Sequence, residues 1–420
     1  MLDWLLAFAV WLPLPWLARI TTVNQGHWLA PGPLAAWTWT VAAGVPLFLA
    51  PDMPIHPEAY ALVSGFVVVC VIASTMGMSA VPHLPARVVV AGHERWRAAA
   101  WRWYFVGVAA GCVAPFILYE HTREFAGGGS LAELAMYASI ARYEGQFSIP
   151  ASVRLLTAVT YFAATLAAFL TASTPTEQRK WKVGFLWLVP LVLAMLVHTA
   201  KANVLYGLVM WGAGWVAGLA YGAQVQRGMR RGAWIRPAIA ILVLAGLFIF
   251  SQGLRMNRTS IGDLPFLLDH LRLYVVGHMP VFGHWVVNEM PRTAGESFGM
   301  ATFAGIAEML GLTHRQAGIY EATTGFTDSN IYTAWRPLLE DFGIVGGALF
   351  LAVLAYGAGL GWRLLRGGHL GGGAMVIAFV AYITWSPITS IFVYSMLLAV
   401  VVIFAVWARW IAGSANGARA

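Results

Sequence analysis

The feature that most constrains this chain is a series of solid apolar blocks. Ala59–Ala80, Tyr104–Tyr119, Val204–Tyr221 and Trp234–Phe250 are apolar runs of a length suited to crossing a hydrocarbon layer about 30 Å thick. No water is available there for backbone polar groups, so a spanning segment must be a helix or part of a closed barrel. A barrel would show alternating segments of about ten residues instead of blocks. Charged residues are 10% of the chain, against about 25% in a soluble protein. The chain therefore reads as an all-α polytopic integral membrane protein.

About eleven transmembrane spans are expected, at 2–17, 34–50, 60–80, 103–119, 155–173, 183–199, 204–221, 234–251, 337–361, 372–386 and 388–411. The last two are parted only by Trp385-Ser386-Pro387. Proline disfavours helix in the residue before it, so these two form either a hairpin or one broken helix. Met1–Trp16 lacks the basic region and cleavage site of a signal peptide and is expected to be a retained span.

Charge gives the orientation. Alternation puts the basic loops 87–102, 176–182, 224–236 and 362–369 on one side, with Arg19, Arg409 and Arg419. That side carries 16 of the 26 Lys and Arg residues but only two of the 18 acids, Glu94 and Glu177. By the positive-inside rule it is cytoplasmic, so the N-terminus is expected outside and the C-terminus inside, in the inner (cytoplasmic) membrane of a bacterium. The net charge of +8 then belongs to loops beside anionic lipid, not to a nucleic-acid footprint. Cys70 and Cys112 lie inside spans and form no CxxC pair, so they indicate neither a disulfide framework nor a metal site.

Three divisions follow: a membrane bundle of about eight helices (1–250), an extracytoplasmic loop (251–336) and C-terminal membrane helices (337–420). The loop holds six of the ten outer cations. It keeps apolar stretches, and 263–287 reads as short amphipathic helices lying in the interface. The spans carry no paired acids, Arg ladder or proton relay. Transporters place such costly groups at the midplane for function, so chemistry is expected at the membrane surface.

Several groups in this region suit an anionic, lipid-borne substrate. Arg255 and Arg258 lie three apart where the chain leaves the eighth span and share a face if the helix continues. Arg forks bind phosphate bidentately; these two serve equally well as a helix-end anchor. Lys201, in a short outer turn, is either a second cation toward phosphate or a snorkelling lysine. Asp328-Ser329-Asn330 before Pro337 are good helix-capping residues, and Arg336 and Glu340 are spaced to pair. Four loop histidines share the segment with carboxylates but lack metal-ligand spacing. A lone carboxylate or histidine acting as base on a hydroxyl is the better expectation. No metal or cofactor is expected, and the motifs of serine hydrolases and nucleotide users are missing from the sequence.

The stretch Asp328-Ser329-Asn330-Ile331-Tyr332-Thr333, followed by Asp341-Phe342-Gly343, resembles the corresponding region of the Wzy-type O-antigen polymerases. The layout, ten to twelve spans with one large outer loop before the last few, is similar to that family across most of the chain. An Arg-x10-Gly spacing found in some members occurs at Arg272…Gly283 and Arg336…Gly347. Lys201 departs from the arginine that such members carry in this region.

The resemblance implies a GT-C-like glycosyltransferase that polymerises undecaprenyl-pyrophosphate-linked oligosaccharide repeat units at the periplasmic face, in contact with membrane lipids and possibly a chain-length regulator. Arg255, Arg258, Arg272, Arg336 and Lys201 would bind pyrophosphate. Asp328, Asp341, Glu296 or His314 would act as base or hydroxyl positioner, and Tyr332 and Trp335 would offer a stacking surface to sugar. The related O-antigen ligases share this architecture. A flippase or exporter of lipid-linked sugars is the alternative from another class, and a membrane acyltransferase centred on His198 is a third.

Overall fold

A computed structural model of the chain describes residues 1–81, 93–130, 133–134, 137–138, 140–141, 146–174, 183–198, 202–222, 246, 249, 253, 261–312, 331 and 333–417. Among the described residues there is helix and no strand. We number the helices α1 (Leu2–Trp11), α2 (Pro13–Gln25), α3 (Pro31–Leu49), α4 (Pro57–Ser79), α5 (His93–Ala126), α6 (Ala151–Ala172), α7 (Leu188–His198), α8 (Ala202–Tyr221), α9 (Leu264–Val276), α10 (His278–Asn288), α11 (Met290–Thr293), α12 (Ala304–Met309), α13 (Trp335–Arg366), α14 (Gly373–Trp385) and α15 (Ser395–Gly417).

Seven helical stretches are long and apolar enough to cross a membrane: α1 and α2 taken together, α3, α4, α5 from Trp96, α6, α8 and α13. Three shorter apolar stretches, Val183–Val197, Leu370–Trp385 and Ser395–Ile411, lie where three further spans were expected. The span expected at 234–251 falls almost wholly outside the described residues. The first span runs on to Gln25 because Leu12 keeps a helical backbone ahead of Pro13.

Small residues let the spans touch backbone to backbone. A Cβ built on Gly359 would stand 2.0 Å from the Ser74 carbonyl oxygen, and one on Gly77 2.1 Å from that of Tyr356. Gly214 and Gly218 meet the carbonyls of Thr165 and Phe169 in the same manner. Close approach at glycine is the usual basis of helix association in lipid, and here it fixes α4 on α13 and α6 on α8.

The contacts also sort the helix ends. Arg97 donates to the Ser173 carbonyl at 2.6 Å, and Trp96 meets Tyr221 and Trp407. His27 meets Trp362 nearby in sequence to Arg366. At the opposite end, Asp52 pairs with Arg272, and Gly283 is pressed against His56.

The hairpin expected at 385–387 is longer than its sequence suggested. Nine residues, 386–394, separate α14 from α15. Ser386, Thr389, Ser390, Ile391, Phe392 and Val393 are all buried. Pro387 and the β-branched residues around it disfavour helix. Non-helical backbone at this depth is tolerated when it is packed inside protein. Its polar groups are used: Ser386 accepts from the Trp39 indole through its hydroxyl (2.9 Å) and from the Ala334 N–H through its carbonyl (2.7 Å).

Helices do form within 263–287, but they do not share one location. α9 leaves Leu264, Phe266, Leu268 and Val275 exposed. α10 is instead wedged into the bundle, with His278 to Gly283, Trp285 and Val286 all buried. The His278 ring nitrogen donates to the Ala42 carbonyl at 2.9 Å, inside the length of α3. Burial pushes this imidazole down to about 4, so it is a neutral strut.

Candidate functional site

The polar mouth of the bundle is built on the first two turns of α13. Helical hydrogen bonding would normally consume the carbonyls of Leu339 and Glu340. It does not, because Gly343 adopts φ 62°, ψ −172° and breaks the helix, a conformation almost restricted to glycine. The released carbonyls are claimed by the loop after α11. Gly295 N–H donates to Leu339 and Glu340, and the N–H groups of Glu296 and Ser297 also converge on the Glu340 carbonyl, at 2.9–3.2 Å.

Asp341 anchors the other edge of that loop. It is 2% exposed, and its two carboxylate oxygens accept the backbone N–H groups of Ala301 (3.0 Å) and Thr302 (2.5 Å). Phe342 stacks on Phe350. The Asp-Phe-Gly stretch thus has a local physical account: a carboxylate that ties down a loop, a ring that packs, and a glycine that unwinds the helix.

Arg336 lies one turn earlier and is buried. Its Nε donates to Glu340 Oε1 at 2.7 Å, its Nη2 faces Glu289 Oε2 at 3.8 Å, and its guanidinium lies over the Trp285 ring, 5.4 Å from the centroid. Two carboxylates and an indole hold one fork in a partly desolvated site, where charge interactions strengthen. Just before it, Thr333 is buried with φ 75°. A β-branched residue at positive φ is strained. Two contacts hold the strained turn in place: the Thr333 hydroxyl accepts from Trp335 N–H, and Ala334 is tied to Ser386.

The expected site residues divide accordingly. Arg336 and Asp341 are brought to one mouth, and Glu296 stands exposed on the loop that binds the Glu340 carbonyl. Arg272 goes elsewhere, to an exposed pair with Asp52 on the α3–α4 connection. The expectation of a sugar-stacking face at Trp335 fails: the ring is fully buried against Trp39, Phe66 and Tyr382. It is core, and sugar has no access to it. Asp341 has both oxygens engaged with backbone, which makes it a positioning group. Lys201, Arg255, Arg258, His314, Asp328 and Tyr332 lie outside the described residues.

Sequence reasoning missed Trp285 and Glu289 as the partners of Arg336. They sit four residues apart at the end of α10, a spacing that places side chains on one face; that was the available signal. Both glycines of the Arg-x10-Gly spacings are packing positions, Gly283 against His56 and Gly347 against Leu338 and Phe66. Among the described residues no group of three or more His, Cys, Asp or Glu side chains is placed to hold a metal.

Comparison with protein-family models, with characterised proteins and with solved structures finds no match to this chain.

Proposed function

We propose that this protein is a metal-independent, GT-C-like membrane glycosyltransferase that polymerises undecaprenyl-pyrophosphate-linked oligosaccharide repeat units. It works at the periplasmic face of the bacterial inner membrane, with its N-terminus outside. The observation that carries the reading is the Arg336 guanidinium, held at the head of a membrane helix between Glu340, Glu289 and Trp285. The Asp328–Thr333 and Asp-Phe-Gly stretches flank this arginine in sequence.

The chemistry needs little else. An acceptor sugar hydroxyl attacks the anomeric carbon of the donor glycan, the bond from that carbon to the pyrophosphate oxygen breaks, and the lipid pyrophosphate departs with its charge. Fixed cations stabilise that charge without a metal. The tight Arg336–Glu340 pair orients the fork, while Glu289 at 3.8 Å is the loosely held carboxylate that a pyrophosphate oxygen displaces. Glu289, once displaced, is close enough to the leaving group to take the hydroxyl proton. Arg255, Arg258 and Lys201 supply further cations to the same anion.

The test is glycan chain length in a deletion strain complemented with wild type or Arg336→Ala, with protein level measured alongside. Single-repeat glycans in the deletion, lengthened by wild type and not by the variant, are expected. Long lipid-linked polymer that fails to reach the cell surface would indicate a ligase, and unchanged glycans would reject the reading.

A further inference from the structure

Six large apolar side chains are exposed within fifteen residues of the loop after α11: Phe298, Met300, Ile306, Met309, Leu310 and Leu312. Soluble surfaces rarely gather apolar side chains this densely without a partner. The segment from Ser297 to Leu312 carries one charge, Glu308, which is exposed. Phe298 is 84% exposed and held at φ 46°, so the backbone is strained in a conformation that leaves this ring outside the core.

The segment is bolted to the flank of α13 at several levels. Asp341 clamps Ala301 and Thr302. Phe303 packs on Phe350 and Phe392. Gly305 is pressed so closely onto the connector before α15 that a Cβ there would stand 2.7 Å from Val393 O and Ser395 N. Phe350 lies seven residues beyond the Gly343 kink, about 10 Å along the helix. At this level α13 presents Val345, Leu349 and Val353, each more than 60% exposed, on a helix long and apolar enough to span. The apolar face of 298–312 is therefore continuous with a lipid-facing belt.

We infer that residues 297–312 are a membrane-inserted finger whose exposed apolar side chains enter the acyl-chain boundary of the leaflet around the polar mouth. The occupant of this surface is bilayer lipid. Glu308 limits the depth, because its carboxylate must reach the headgroups, and the finger lies in the interface as apolar faces with a polar margin do. This inference does not rest on the glycan reading. It differs from the expectation at 263–287, since that stretch includes the buried α10, whereas the strongly exposed apolar face lies further along the chain.

The test uses full-length protein in phosphatidylcholine nanodiscs. Cys70 and Cys112 are replaced by alanine, and single cysteines carrying a polarity-sensitive fluorophore are placed by Met309→Cys or Phe298→Cys. Val353→Cys serves as the lipid-belt reference and Arg123→Cys as the water reference. Quenching is read with phosphatidylcholine brominated in the upper acyl chain and, separately, with aqueous iodide. Both finger probes are expected to match Val353→Cys, with bromolipid quenching several-fold above that at Arg123→Cys and little response to iodide. Iodide quenching without bromolipid quenching would overturn the inference. Protection from both quenchers would overturn it too, in favour of cover by protein. The two finger positions are independent, so misfolding of one variant leaves the other to decide.

Discussion

The two halves of α13 are held in opposite ways. Beyond Gly343 the helix is regular and meets α4 through Gly359 and Gly77, backbone against backbone. Before Gly343 the same helix is unwound from its own hydrogen bonds, and its carbonyls, its Asp341 and its Arg336 are given to other segments. One half gains rigidity by removing side chains. The other gains polar groups by breaking the helix, and it stays in place because four separate elements hold it. A site built this way needs a stiff base, and the glycine-packed half supplies it.

The largest expected effect comes from attacking that base. Gly359→Val puts a branched side chain where a Cβ already stands 2.0 Å from the Ser74 carbonyl, so α4 and α13 must part. The cost is expected at about 3 kcal/mol, the upper end of overpacking penalties, seen as the greatest drop in melting temperature in detergent and loss of all activity. A wild-type melting temperature would show that the backbones are not in contact.

Gly343→Ala strikes the boundary between the halves. A side chain at φ 62°, ψ −172° is strained by about 1–3 kcal/mol. The helix relieves that strain by rewinding, which takes back the Glu340 carbonyl from Gly295–Ser297. Asp341→Asn removes the charge-assisted half of the same anchorage, at about 2 kcal/mol. Both are expected to lower chain extension strongly while the membrane-embedded half still folds. If either variant lost the whole protein instead, the two halves would not be separable.

Arg336→Lys tests the chemistry of the upper half at little cost to folding. The charge stays, but the fork that meets Glu340 and lies over Trp285 is lost, and an ammonium does not replace it. A fall in chain extension of roughly tenfold or more, on the order of 1.4 kcal/mol, is expected with the melting temperature nearly unchanged. Full activity would reduce Arg336 to a structural cation.

The same division explains how much could be read in advance. Apolar blocks and charge asymmetry reported the helical, lipid-matched part of the molecule, because hydrophobic length is a property of the segment itself. Arg336 and Asp341 were legible as polar groups at a helix mouth. Their partners were not. Which carboxylate meets Arg336 depends on α10 being wedged against α3 and α4, a tertiary outcome that amphipathic spacing alone does not determine. Trp335 misled for the opposite reason: a tryptophan beside an arginine at a helix start suits an interfacial anchor or a sugar platform equally, and only packing against Trp39 and Phe66 makes it core.

The smallest effect is expected at the second arginine. Arg272 and Asp52 form an exposed pair, and such pairs contribute little because solvent screens them. Arg272→Ala and Asp52→Asn are expected to leave chain extension intact and melting nearly unchanged at neutral pH. The hydrogen bond from Arg272 holds the Asp52 carboxyl below its ordinary range. Its small contribution is therefore complete above the ordinary carboxylate pKa and is lost as pH falls through the lowered value. Melting curves of wild type and Asp52→Asn should converge with acidification across that window. A pH-independent gap would mean that the pair is not what separates them. Loss of activity in Arg272→Ala would move this arginine back toward the substrate, and the contrast between a buried, working Arg336 and a merely superficial Arg272 would collapse.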